Sequence, residues 1–139
     1  MLDLTSLKKA LISFEKVLMV AERKKNSVNF DIDEFEAIKA GAIQNFEFTY
    51  ELCWKLMKRW LENNLTPGMM EGVSRKQLFR YAAENHLIND FDAWMKYHEM
   101  RNITSHTYNQ DEADEIFRIV DDFFKDAMKF LNALEARND

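Results

Sequence analysis

Residues 98 to 108 read HEMRNITSHTY. On a helix, His98, Asn102 and His106 step by four and form one row, with Arg101 and Ser105 in the row beside it. The chemistry of this set is narrow. Arginine offers a planar fork that takes two phosphate oxygens at once. Histidine titrates near neutrality and acts as general base or acid. Asn102 and Ser105 can orient either group, and Tyr108 adds a hydroxyl that is an acceptor or a nucleophile. His98, Arg101, Asn102, Ser105, His106 and Tyr108 are therefore candidate ligand- or cleft-binding residues, suited to phosphate. They do not suit a metal. His98 and His106 are two turns apart, and the nearby carboxylate, Glu99, belongs to another face. No metal or cofactor is expected on this chain.

The elements that must position these groups follow from periodicity. Leu4, Leu7, Leu11, Phe14, Leu18 and Ala21 step by three and four, which predicts a first helix from about Leu4 to Lys25. A second starts near Asp33, with Glu36 in capping-box spacing, and reaches Asn64. It is apolar around more than half its girth: Phe35, Ile38, Ala42, Phe46, Cys53, Met57 and Trp60 on one side, Phe48, Leu52, Trp54 and Leu61 on others. A helix of that kind needs two partners, within one bundle or from a second subunit. TPGMMEG breaks the chain. A third helix opens at Ser74 with Gln77 as its capping-box mate and ends near Asn85. Asn89 is a good cap for a fourth, from Asp90 to about Ser105. A fifth runs from about Asp111 to Ala136 on the stripe Ile116, Val120, Phe123, Ala127, Phe130 and Leu134. The expected fold is all-α: an antiparallel up-down four-helix bundle with one extra short helix, homodimeric, in a single domain spanning residues 1–139.

On the fourth helix the core-facing positions are expected to be Phe91, Trp94, His98, Arg101 or Asn102, and Ser105. The first half of that stripe is apolar and the second half polar. Polar groups kept facing a core must find partners, because each one left unpaired costs about 1–3 kcal/mol.

Composition excludes several classes. Only three glycines and one proline in 139 residues leave few helix breakers. The lone Cys53 cannot form an intrachain disulfide and reads as a buried thiol in a reducing, cytoplasmic setting. No apolar run is long enough for a membrane span, and the N-terminus mixes acids and bases unlike a signal peptide. A formal net charge of −5 argues against a general nucleic-acid binder. Asp31 and Asp33 in FDID have the spacing of a nucleotidyltransferase metal pair, but they lack the strand and the preceding Gly-Ser turn. Helix capping accounts for them, so the chain is not expected to transfer nucleotides itself.

Arg101 and His106 with four residues between them, Asn102 after the arginine and Tyr108 two past the histidine, resemble the signature of the HEPN superfamily. More narrowly, NFEFTYELCWKLMKRWLE (45 to 62), SRKQLFRYAAENHLI (74 to 88) and MRNITSHTYNQDEADEI (100 to 116) make nearly the whole chain similar to the nucleotidyltransferase substrate-binding proteins. The resemblance implies a homodimer that brings two Arg-His motifs to a shared cleft. It also implies a partner, a separately encoded minimal nucleotidyltransferase, with Mg²⁺ and ATP or another nucleotide as that partner's cofactors. Two functions come with it. One is a non-catalytic subunit that binds a small nucleotide-type substrate. The other is a metal-independent ribonuclease toxin, with Arg101 and His106 catalytic, which the partner silences by adding AMP to Tyr108. A plain dimeric scaffold is a third reading. The acids that follow the motif, Asp111, Glu112, Asp114 and Glu115, suit a helix N-terminus but put negative charge near any RNA at His106. On sequence alone that tilts the choice toward the binding subunit.

Overall fold

The computed structural model describes residues 1–106 and 109–138, apart from the side chains of Ser105 and His106. Its regular structure is five helices, with no strand among the described residues: α1 (Thr5–Lys25), α2 (Ile32–Asn64), α3 (Arg75–Glu84), α4 (Phe91–His106) and α5 (Gln110–Ala136).

Side chains fix the helix starts. The expected Ser74–Gln77 capping box forms in both directions, each bond at 3.1 Å. Two expected caps are displaced. Asp31, not Asp33, caps α2, and its Oδ1 accepts from the backbone N–H groups of Asp33 and Glu34. Asp90, not Asn89, caps α4 by accepting from the N–H of Ala93 at 3.0 Å. In each case two capping residues lie close together, and the one directly before the first helical residue takes the role. Asn109 caps α5 by accepting from the N–H of Glu112.

The end of α3 carries a backbone strain. The N–H of Leu87 donates to the carbonyl of Ala82 and that of His86 to Ala83, which is the Schellman pattern. The position normally given to glycine holds His86, at φ 62°. His86 is exposed, so its side chain returns little for the steric cost. His86→Gly is expected to stabilise the protein by about 0.5–1 kcal/mol, read as a higher Tm. An unchanged or lower Tm would show that the strain is relieved elsewhere.

Helix directions follow from contacts at the ends. Lys24 meets Glu34 at 2.7 Å across the α1–α2 turn. The start of α1 lies on the end of α5, where Asn138 bonds both backbone groups of Leu2 and Lys8 is 3.6 Å from Glu135. Lys39 pairs with Asp114 near the start of α2 and of α5, while Trp60 Nε1 donates to the carbonyl of Arg137 near their ends. So α2 and α5 run parallel, and α1 and α4 run against them. The short α3 packs between α2 and α4.

The stripes of α1 and α5 are buried as expected, with Leu18 only partly so. Phe123 of α5 sits in the middle of the core, with ring centroids 4.9 Å from Phe46, 5.0 Å from Tyr97, 5.7 Å from Trp94 and 6.0 Å from Phe14. Helix α2 touches all four other helices. Its wide apolar girth is thus largely covered within one chain, and Phe48 is the large residue it still exposes along its middle, at 59%. That girth is no argument for a second subunit. Cys53 is buried, and burial pushes its thiol pKa up, which leaves it unreactive. Among the described residues no helix is long and apolar enough to cross a membrane.

Candidate functional site

The core face of α4 is not the row through His98. Trp94, Tyr97 and Met100 are the buried residues, one every three positions. Tyr97 is admitted to the core because its hydroxyl donates to Asp126 of α5. His98 and Arg101 fall to the flank, partly buried against α2, and Asn102 is exposed. The polar half of the helix was therefore never required to face the core. Ser105 and His106 close α4, but the placement of their side chains, and all of Tyr108, lies outside the described residues.

What the fold brings to His98 and Arg101 comes mostly from α2 and α3. Tyr50 Oη is 2.8 Å from His98 Nδ1 and accepts from Arg75 Nη1 at 3.2 Å. Arginine can only donate, so the phenol proton is free to go to Nδ1. His98 Nε2 lies 3.4 Å from the Asn102 amide nitrogen on its other side, so the ring tautomer decides which of its two nitrogens accepts. Burial, and then the Arg75 charge, push the His98 pKa below its ordinary value, against a smaller upward pull from Glu51. Tyr50 is held neutral chiefly by burial, which pushes its pKa well up.

The sign of the resulting pH dependence is fixed. The unfolded chain protonates His98 near pH ~6.5, before the folded chain does. The stabilisation is therefore complete above about pH 6.5 and falls as pH drops from there toward the lower folded pKa. Wild-type protein should lose more Tm between about pH 7.5 and about pH 5.5 than His98→Gln does, because only the wild type carries this titration. Equal losses would mean that the Tyr50–His98 bond does not depend on a neutral ring.

Arg101 is clamped. Its Nη1 lies 3.3 Å from Glu47, and its Nε lies 3.5 Å from Glu51. Nη1 also donates to Thr104 Oγ1 at 3.2 Å. The buried Nε makes no hydrogen bond despite the nearby carboxylate. The other oxygen of Glu51 accepts from Trp54 Nε1 at 2.9 Å, and Arg75 stacks on the Trp54 ring at 3.7 Å. One connected polar system thus runs from Arg75 to Arg101. Sequence reasoning missed Glu47, Tyr50, Glu51, Trp54 and Arg75. A signal was present: Glu47 and Glu51 are acids one turn apart on a helix that is apolar around more than half its girth.

The acids after the motif are partly neutralised. Asp114 pairs with the buried Lys39, and Glu115 lies 3.9 Å from Lys96. Burial pulls the Lys39 pKa down, but Asp114 and Glu36 outweigh it, so the ammonium is held charged. Gln110 bonds Glu36 and Asp114 and ties the start of α5 to α2.

The family model described as nucleotidyltransferase substrate binding protein like matches residues 2–136. The chain belongs to the nucleotidyltransferase substrate-binding protein family. A Haemophilus influenzae member named Probable ribonuclease HepT is 37% identical over 139 residues, covering 99% of this chain and 94% of that one. A solved Haemophilus influenzae structure, described as revealing the fold of a substrate binding domain of a nucleotidyltransferase, superposes with a TM-score of 0.89. It is 34% identical and covers 96% of this chain and 99% of its own. A structure from Thermus thermophilus is more distant, at a TM-score of 0.63 and 29% identity, covering 87% of this chain and 98% of its own. Within the family, the relative named as a ribonuclease supports the RNA-cleaving alternative better than the binding-subunit reading that the acidic charge favoured.

Proposed function

We propose that this chain is a metal-independent ribonuclease of the HEPN kind, restrained by a separately encoded minimal nucleotidyltransferase. The observation that carries this is the 37% identity, along essentially the whole chain, to a relative named as a ribonuclease. The Arg101, His106 and Tyr108 signature is complete here. The charge argument against RNA has also weakened, since Asp114 and Glu115 have cationic partners.

In this reading His106 takes the proton of a ribose 2′-hydroxyl, and that oxygen attacks the adjacent phosphorus. The 5′-oxygen of the next nucleotide leaves and takes a proton from solvent. The products are a 2′,3′-cyclic phosphate and a 5′-hydroxyl. Arg101 turns its fork from Glu47 to the phosphate and stabilises the charge that builds there. The chain acts as a homodimer that places two motifs at one cleft. Cleavage of single-stranded RNA by the purified chain in EDTA tests the reading. Cleavage that vanishes in EDTA, or no cleavage at all, sinks it.

The partner, with Mg²⁺ and ATP, restrains the chain through Tyr108. The phenol oxygen attacks the α-phosphorus of ATP, pyrophosphate leaves, and the phenol proton passes to a base of the partner. Mass spectrometry after incubation with partner, ATP and Mg²⁺ should show a gain in multiples of AMP that is absent in Tyr108→Phe. A gain that persists in the variant removes Tyr108 from this role.

One observation favours the binding-subunit reading. In the free chain Arg101 is occupied by two carboxylates rather than open to a phosphate. If that clamp is permanent, Arg101 reaches no scissile phosphate and the chain cuts nothing, and any nucleotide-type ligand it binds for its partner is held by other residues.

A further inference from the structure

Two arginines border His98, and they differ in their counter-ions. Arg101 has Glu47 and Glu51. Arg75 is in ion-pair contact with no carboxylate among the described residues. It is nonetheless held in place, stacked 3.7 Å over the Trp54 ring and bonded through Nη1 to Tyr50 at 3.2 Å. The guanidinium has five N–H donors, and Nη1 to Tyr50 is its one side-chain hydrogen bond among the described residues. The residue is partly exposed.

Its position adds to the electrostatic cost. Arg75 and Lys76 open α3, at the helix end where the dipole favours acids, and that turn contains none. Lys55, Lys58 and Arg59, in the same stretch of α2 as Trp54, also lack carboxylate partners among the described residues. In a chain of net charge −5, an arginine held close to His98 with no carboxylate in contact among the described residues is not explained by composition. An incoming anion would supply the missing counter-charge.

We propose that Arg75 is a second anion-binding residue of this site, taking a phosphate of the RNA strand that flanks the scissile bond. This rests on the ribonuclease reading. The flanking phosphate is assigned because Arg75 stands at His98, eight residues before His106 on α4. At about 1.5 Å per residue that is about 12 Å, too far for one phosphate to reach both.

The test is fluorescence anisotropy with a labelled single-stranded RNA oligonucleotide and His106→Ala protein, across a salt series. Adding Arg75→Gln should weaken binding and reduce the slope of log K against log salt by about 0.7, the share of one phosphate contact on a single strand. Arg75→Lys should recover the slope, because it keeps the charge while losing the planar stack. A merely structural role for Arg75 would move Tm and leave the slope alone, which overturns the proposal. Wild-type cleavage of RNA combined with an unchanged Arg75→Gln slope overturns it and leaves the ribonuclease reading standing. A wild-type chain that neither binds nor cuts RNA removes both.

Discussion

His106→Ala is expected to lower RNA cleavage by about 10²–10⁴-fold, the usual contribution of a positioned general base. In cells, expression of the wild-type chain without its partner should arrest growth, and the variant should restore it. His106 is the cleaner probe of the two signature residues. Arg101→Ala would also abolish activity, but it leaves Glu47 and Glu51 facing each other without their cation. Arg101→Lys is not a conservative control, because a lysine cannot offer the bidentate fork. Normal growth with the wild-type chain, together with intact RNA in vitro, returns the function to nucleotide binding on behalf of a partner.

Phe123→Ala should be the most damaging single core change, at about 3–5 kcal/mol of unfolding free energy. Phe123 is fully buried and contacts rings from α1, α2 and α4. Truncation removes apolar area and leaves a cavity that four separate helices would have to close, so relaxation is limited. A loss of that size takes a large share of the stability of a small domain. Denaturant unfolding monitored by helical circular dichroism measures it. A cost below about 1.5 kcal/mol would mean that the aromatic cluster repacks, as cores do for volume-conserving changes. The variant should also loosen the site, because Phe123 packs on Tyr50, which holds His98.

Helix number, order and approximate bounds could be read from the chain, because long apolar stripes at three-and-four spacing have few alternatives. The caps of α2 and α4 could not, since Asp31 and Asp33, like Asn89 and Asp90, compete on nearly equal terms until packing sets the first turn. The stripe of α4 misled for a similar reason. Its rows through His98 and through Tyr97 are both amphipathic, and only the aromatic partners on α5 and α3 decide which row is buried.

Helical character, the single buried stripes of α1 and α5, and the residue types of 98 to 108 are all written in the linear chain. These are local properties, set by side-chain type and by spacing along one helix. Three relations at the site arise only on folding: Arg101 sits between Glu47 and Glu51, Tyr50 bonds His98, and Arg75 reaches the same place without a carboxylate in contact among the described residues. They join residues 25 to 54 positions apart, and which carboxylate meets which cation depends on how α2, α3 and α4 are rotated against one another. That rotation is chosen by the apolar faces they bury together, so the electrostatics of the site follow from the packing of the core.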